Sequence, residues 1–260
     1  MLLWRDAINN VRNPLLLYTR LVISVLFMLV CGGIFWKLSA DYSAENFATS
    51  LRTRCSILFL LGCIFYLPFL MASLGTFPTE KVIYLKESSS RMYSLPCYFL
   101  SRNIIEIPLL IIIPFISALI IYWMVEFNQG TSYFFVFVLI AFMCCLCGSS
   151  IGLLTGSIFN SIIIAAGVVP SLTIPLMFIG GFLKNRADFS AWYGWLEYLS
   201  PFKYAFNAFA LNEFRGTAAP VELFNFNLSL WLAIVLLGVI SIVARFLGLF
   251  ILMLKKDRLQ

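Results

Sequence analysis

The chain has 260 residues, of which 62% are hydrophobic and only 12% are charged. A typical soluble domain is about 45–50% apolar and about a quarter charged, so the composition excludes a water-soluble globular protein. The absence of histidine excludes catalytic triads, metal sites and proton switches that depend on imidazole. The net charge of +6 does not indicate a nucleic-acid surface. It fits cationic loops beside an anionic cytoplasmic leaflet.

Six stretches are apolar enough to cross a bilayer, which requires about twenty mostly apolar residues. They are residues 16–38, 55–77, 104–125, 133–158, 161–183 and 229–254. The sequence therefore predicts an all-α membrane protein, with six transmembrane helices in a single domain over residues 1–260. Charged residues interrupt the stretch before the first span, so residues 2–17 predict an interfacial amphipathic helix and not a signal peptide.

The basic residues predict the orientation of the spans. With six spans, both termini share one side with the second and fourth connections, and that side carries the larger share of Lys and Arg. Cytoplasmic loops are enriched in these residues. We therefore expect a multi-pass protein with both termini in the cytoplasm. The composition does not distinguish the plasma membrane from an internal membrane.

The connection after the second span mixes acidic and basic residues. Its charged residues are Glu80, Lys81, Lys86, Glu87 and Arg91. Their spacing of about one to two helical turns favours a short amphipathic helix over residues 80–91, held by ion pairs within the helix. A solvated loop with ordinary charges is the alternative.

Motifs for nucleotide and metal chemistry are absent from the sequence. Without a GxxxxGK[ST] loop the chain cannot cradle nucleotide phosphates in a P-loop, so any ATPase must lie in another domain or another chain. Cys144, Cys145 and Cys147 fall in an apolar span with no acidic residue or histidine beside them, and small packing residues explain them better than a soft-metal site. We expect no catalytic residue, metal or cofactor on this chain.

Two further patterns concern packing and the outer face. Gly148, Gly152 and Gly156 form two overlapping GxxxG steps, which let helices approach closely, and packing inside one bundle is favoured over a dimer interface. The connection over residues 184–228 is rich in Trp, Tyr and Phe. It predicts re-entrant or interfacial helices that cap the outer mouth, with a small folded outer subdomain as the alternative. Asn227 begins an N-x-[ST] sequon beside the sixth span.

Together these residues resemble the transmembrane domain of G-subfamily ABC transporters, of the White and pleiotropic-drug-resistance type. Residues 12–36, with RNP and GGIFW, are similar to that family's connecting helix and first span. Residues 77–108, with the charged connection and Glu106, are similar to its coupling helix and the entry to its third span. Residues 178–214, with FIGGF, YLSPFKY and NEF, are similar to its fifth span, re-entrant segment and long outer loop.

The resemblance implies an exporter domain that forms a homodimer or heterodimer in the lipid membrane. It also implies that a fused or separate ATP-binding domain, which binds ATP and Mg, powers transport through residues 80–91. The residues that the resemblance places in a central cavity are Phe65, Phe69, Met177 and Phe178, with Phe182 and Leu183 above them as an apolar plug. This aromatic and apolar lining suits hydrophobic or amphipathic substrates such as lipids, sterols, pigments or xenobiotics.

Two other functions are compatible with the sequence. The chain could be a truncated assembly partner that does not transport and that dimerises with a complete half-transporter. An ion-coupled carrier is less favoured, because it needs acidic residues or a polar filter inside the membrane. The predicted spans place only Arg245 deep in the bilayer.

Overall fold

The computed structural model describes residues 14–38, 47–89, 95–128, 130–180, 194–215 and 228–257. Within these ranges the fold is helical and has no β-strand, which confirms the predicted all-α class. A short 3₁₀ helix, Gly194–Leu199, precedes α6. The α-helices are α1 (Pro14–Ile34), α2 (Phe47–Ser89), α3 (Leu95–Val125), α4 (Thr131–Ile158), α5 (Ile162–Phe178), α6 (Pro201–Glu213) and α7 (Leu230–Asp257).

Four helices contain stretches that are long and apolar enough to cross a bilayer. These stretches are Ser50–Pro78, Pro96–Val125, Thr131–Ile158 and Leu230–Lys255. They contain or nearly coincide with the second, third, fourth and sixth predicted spans, although the third begins several residues earlier than predicted. The apolar stretches found in α1 and α5 are shorter, Leu21–Ile34 and Ile162–Phe178. The predictions that residues 16–38 and 161–183 span the membrane therefore rest on the sequence.

The glycines of α4 lie against the backbone of α2. A Cβ atom at Gly148 would lie 2.3 Å from the Tyr66 carbonyl oxygen, and one at Gly152 would lie 2.4 Å from the Leu70 carbonyl oxygen. Only glycine allows this approach, since any side chain would overlap the neighbouring backbone. The GxxxG face is thus filled by α2 of the same chain. This confirms packing inside one bundle and excludes this face as the dimer interface.

An aromatic cluster joins α2, α4 and α6. The Phe65 ring stacks on Phe209, with centroids 6.2 Å apart, and Phe137 lies 5.0 Å from Phe209. Almost every residue of α6 is buried. At about 1.5 Å per residue its 13 residues span only about 20 Å, so α6 is a short buried helix and is too short to cross a bilayer.

The sequence predicted that the charged connection forms a separate helix. The structure shows that it does not. Residues 80–89 instead continue α2 as one helix of 43 residues that runs through Pro78. Proline inside a helix removes one backbone hydrogen bond, and contacts that Glu80 and Lys81 make with other helices fix the chain just beyond it. The predicted helix 80–91 is therefore corrected to the terminal turns of α2.

Candidate functional site

Polar side chains meet near the Ser89 end of α2, in what we call the Lys81 cluster (Glu80, Lys81, Arg102, Asn160 and Lys255). Lys81 is only 3% exposed, and its Nζ donates to the Ser157 carbonyl oxygen and to Asn160 Oδ1, both at 2.9 Å. The last carbonyl groups of a helix have no donor within the helix and need hydrogen-bond donors from elsewhere. Lys81 of α2 therefore caps α4, whose own last turn has no basic residue.

Lys255 of α7 reaches the same end of α4. Its Nζ donates to the Ser157 carbonyl oxygen at 2.9 Å and to Asn160 Oδ1 at 3.2 Å. Burial lowers the pKa of Lys81 from its ordinary 10.5 to about 7, and the hydrogen bond and positive charge of Lys255 act in the same direction. Three helices are thus tied together at one point.

An ion pair joins α2 to α3 beside this point. The Nε atom of Arg102 lies 2.7 Å from Glu80 Oε2, and an Arg102 Nη2 hydrogen bond reaches Thr76 Oγ1 at 3.3 Å. These contacts connect α3 to α2. The sequence had predicted only ion pairs within a single helix. Sequence periodicity could not find the contacts between α2 and α3, because it identifies only neighbours on the same helix.

Of the other predicted coupling residues, Lys86 and Glu87 lie on the terminal turns of α2. Their side chains, and all of Arg91, fall outside the described residues.

A second group of polar side chains lies within the apolar stretches of α3, α4 and α7. Glu106 of α3 is 2% exposed and accepts a hydrogen bond from Ser73 Oγ at 3.1 Å. Arg245 of α7 donates from Nε to Ser150 Oγ at 2.9 Å and interacts electrostatically with Glu106. The prediction that only Arg245 lies deep in a span is therefore wrong. Because α3 begins at Leu95, Glu106 lies about three turns inside the helix.

The opposite end of the bundle is held by the Arg54 cluster (Leu38, Arg54, Asn128 and Glu213). Arg54 of α2 and Glu213 of α6 form an ion pair with side chains that are 5% and 4% exposed. Arg54 Nη2 also donates to the Leu38 carbonyl oxygen at 2.9 Å, and the backbone N–H of Asn128 donates to Glu213 Oε2 at 3.0 Å. Burial raises the pKa of Glu213, against the opposing effects of Asn128 and Arg54.

The two clusters lie at opposite ends of α2. At about 1.5 Å per residue, Arg54 and Lys81 are about 40 Å apart along the helix. This is close to the thickness of a bilayer with its headgroup regions, about 40–45 Å. Most of the apolar stretch Ser50–Pro78 of α2 lies between them.

An apolar groove of about 590 Å³ opens between α1 and α2. Ile23 and Phe27 line it from α1, while Phe69, Met71 and Thr76 are among the lining residues of α2. Ligand pockets typically enclose about 300–1,000 Å³ and are mostly apolar. The groove therefore has the size and lining to hold a small hydrophobic molecule.

The predicted cavity residues are divided among different environments. Phe69 lines the groove, whereas Phe65 is 2% exposed and packs in the aromatic cluster. On α5, Met177 is half-buried and Phe178 is 54% exposed. The structure thus brings one of the four into the groove. The plug residues Phe182 and Leu183 and the sequon residue Asn227 lie outside the described residues.

Comparison with known proteins identifies the family. A profile of the ABC-2 type transporter family matches residues 1–214. Protein white of Ceratitis capitata is 28% identical over 211 residues, which are 81% of this chain and 30% of that protein. ABC transporter G family member 1 of Dictyostelium discoideum is 27% identical over 219 residues, which are 83% of this chain and 27% of that protein.

A nematode relative extends the match. ABC transporter ATP-binding protein/permease wht-1 of Caenorhabditis elegans is 27% identical over 234 residues, which are 88% of this chain and 33% of that protein. The chain thus spans about a third or less of the length of these curated relatives. The family match, the similarity to White and ABC G family proteins, and the apolar helices agree with the resemblance found in the sequence. The chain belongs to the ABC-2 type transporter family, as a membrane domain.

Proposed function

We propose that this chain is the membrane domain of an ATP-driven exporter of hydrophobic or amphipathic molecules. It works as a homodimer or heterodimer with a second transmembrane half, and a fused or separate ATP-binding domain supplies the energy by binding ATP and Mg. The printed name of the nematode relative joins an ATP-binding protein to a permease, which supports this division of labour.

The Lys81 cluster is the observation that carries this proposal. Glu80 contacts Arg102 of α3, while Lys81 and Lys255 of α7 both hold the end of α4. A domain that pushes on the terminal turns of α2 therefore acts on four helices at once. Glu80, Lys81, Lys86, Glu87 and Arg91 form the proposed coupling surface, which receives this push and converts it into tilting of the spans.

The proposed topology has six spans, both termini in the cytoplasm and a re-entrant segment on the outer side. The Lys81 cluster brings together the end of α2, the α4–α5 connection and the end of α7. The Arg54 cluster brings together the beginning of α2, the α3–α4 connection and the end of α6. This alternation of helix ends supports an up-and-down arrangement. The short, buried α6 fits a helix that enters the outer half of the membrane and turns back.

The proposed substrate path runs beside α2 and α5. Phe69 faces the apolar groove, and the exposed surface of α5, including Phe178, is available to a second transmembrane half. Met177 lies next to Phe178, and Phe182 and Leu183 complete the proposed plug above them. An aromatic and apolar path of this kind suits lipids, sterols, pigments or xenobiotics, because burial of apolar surface drives their binding.

Transport assays with a complete transporter that contains this domain test the proposal. We expect ATP-dependent movement of fluorescent lipid, sterol and xenobiotic analogues across vesicle membranes. Phe69→Ala should change the relative rates among these substrates without loss of expression. The matched control is Phe246→Ala, because Phe246 is 68% exposed on α7 and should leave the rates unchanged.

The absence of ATP-dependent transport in the assembled, correctly inserted complex would contradict the proposal. That result would favour an assembly partner that does not transport. Unchanged relative rates for every substrate in Phe69→Ala would remove Phe69 from the path and leave the proposal of ATP-driven export intact.

A further inference from the structure

Two amino groups from different helices meet at the end of α4. Lys81 and Lys255 both donate to the Ser157 carbonyl oxygen at 2.9 Å and both reach Asn160 Oδ1, at 2.9 and 3.2 Å. Lys255 also donates to the Ile158 carbonyl oxygen. The two amino groups therefore lie close together, because they share both acceptors. Two lysines held in this way repel strongly if both are charged.

The hydrogen bonds fit one neutral amine and one ammonium. An ammonium has three donors and no acceptor. A neutral amine has two N–H donors and a lone pair. Lys81 has two acceptors at 2.9 Å, whereas the third, the Phe159 carbonyl oxygen, is 3.5 Å away, beyond the distance of a good hydrogen bond. A neutral Lys81 amine satisfies both of these acceptors with its two N–H donors.

Among the described residues, nothing that contacts Lys81 compensates a second positive charge. Lys255 faces Lys81 from α7, and the end of α4 and the α4–α5 connection present neutral oxygens. Glu80 precedes Lys81 on α2, but its carboxylate is paired with Arg102 of α3. In the described part of the chain, no carboxylate is found among the contacts of Lys81. These conditions agree with the lowered pKa of Lys81, about 7.

We propose that Lys81 and Lys255 form a proton-sensitive clamp, which holds α2 and α7 on the end of α4 while Lys81 is neutral and opens when both amines are protonated. Acidification of the compartment that faces this end would then loosen α2 from α7. The consequence for transport rests on the proposed function, because it assumes that an ATP-binding domain pushes on α2. The clamp itself rests only on the contacts of these residues.

A titration of the lysine side chains tests the clamp directly. The chain is labelled with ¹³Cε-lysine and placed in lipid nanodiscs, and its spectrum is followed from about pH 5 to about pH 10. We expect one resonance, absent from the Lys81→Arg spectrum, to titrate near neutral pH. In Lys255→Met its midpoint should move upward by at least about one pH unit, because the like charge is removed. Absence of any lysine that titrates between about pH 6 and pH 8 in the wild-type chain would overturn the proposal.

Stability against pH tests whether the titration controls the structure. The pKa of Lys81 is about 7 in the folded chain and has its ordinary value of 10.5 in the unfolded chain. Between these two pH values Lys81 binds fewer protons in the folded chain than in the unfolded chain. Its contribution to the free energy of unfolding therefore rises with pH across this window. From about pH 6.5 to about pH 8.5 the unfolding temperature of the wild-type chain should rise, and that of Lys81→Met should not. Lys37→Met is the matched control, because Lys37 is an exposed lysine after the end of α1, and it should keep the wild-type rise.

A full wild-type rise in Lys81→Met would contradict the clamp. Neither measurement uses ATP or a substrate, so failure of the proposed export function would leave these results unchanged. Conversely, loss of the clamp would not affect whether ATP drives transport.

Discussion

The contact between α4 and α2 predicts that even the smallest side chain at Gly152 destabilises the fold. A Cβ atom there would lie 2.4 Å from the Leu70 carbonyl oxygen and 3.0 Å from the Ser73 Cβ atom. The first neighbour is backbone and cannot rotate away, so Gly152→Ala must move the two helices apart. Gly238 of α7 is the matched control, since a Cβ atom there meets nothing within 4 Å.

The expected magnitude follows from two opposing effects. Overpacking a well-packed site costs about 1–3 kcal/mol, whereas alanine favours a helix over glycine by about 1 kcal/mol. Because the clash is with backbone, the cost lies near its upper limit, and Gly152→Ala should lower the free energy of unfolding by about 1–2 kcal/mol. At about 2–4 °C per kcal/mol, the unfolding temperature should fall by roughly 2–8 °C.

Thermal unfolding of the detergent-solubilised chain, followed by circular dichroism, measures this difference. Gly238→Ala should unfold at the wild-type temperature or slightly above it, because the substitution gains helix preference without a clash. A Gly152→Ala chain as stable as the Gly238→Ala chain would refute the close packing of α4 on α2.

Three other predictions concern charge, coupling and glycosylation. Arg54→Met leaves Glu213 buried without its partner and should lower the free energy of unfolding by about 3–5 kcal/mol. The double variant Arg54→Met/Glu213→Leu should recover part of this loss, and equal stability of the two variants would show that the pair contributes little. Glu87→Ala in a complete transporter should leave expression and dimerisation near normal and lower substrate-stimulated transport several-fold, whereas a wild-type rate would remove Glu87 from the coupling surface. Any N-linked glycan on this chain should be attached at Asn227, which begins its only N-x-[ST] sequon, and a glycosidase-sensitive mass shift that persists in Asn227→Gln would disprove this assignment.

The sequence predicted the helices and the family because both depend on local signals. Long apolar runs identify membrane-spanning helices, and the glycine spacing predicted the packing face of α4. The beginning of α3 was harder to predict from the sequence, because Arg102 and Asn103 interrupt its apolar run. Arg102 forms an ion pair with Glu80 and a hydrogen bond with Thr76, and Asn103 donates to the Phe99 carbonyl oxygen. These contacts allow α3 to include both polar residues.

Contacts between distant helices could not be predicted from local patterns. The charge pattern placed ion pairs along the end of α2, but Lys81 instead binds the end of α4 and shares it with Lys255. The electrostatic interaction of Glu106 with Arg245 likewise depends on how α3 and α7 pack. The resemblance to the transporter family placed Phe65 and Phe69 in one cavity, yet α6 covers Phe65 with Phe209. Tertiary packing decided each of these positions.

In the proposed function, force enters this membrane domain through the end of α2 and passes to α3 and α4. The most direct test exchanges the charges of Glu80 and Arg102, whose side chains lie 2.7 Å apart, in a complete transporter that carries this domain. The quantity measured is the number of substrate molecules transported per ATP hydrolysed. Glu80→Arg and Arg102→Glu should each lower this ratio several-fold at normal expression, and the double exchange should restore most of it. Single variants that keep the wild-type ratio, or a double variant whose ratio is no higher than that of either single variant, would contradict this path of force through α2.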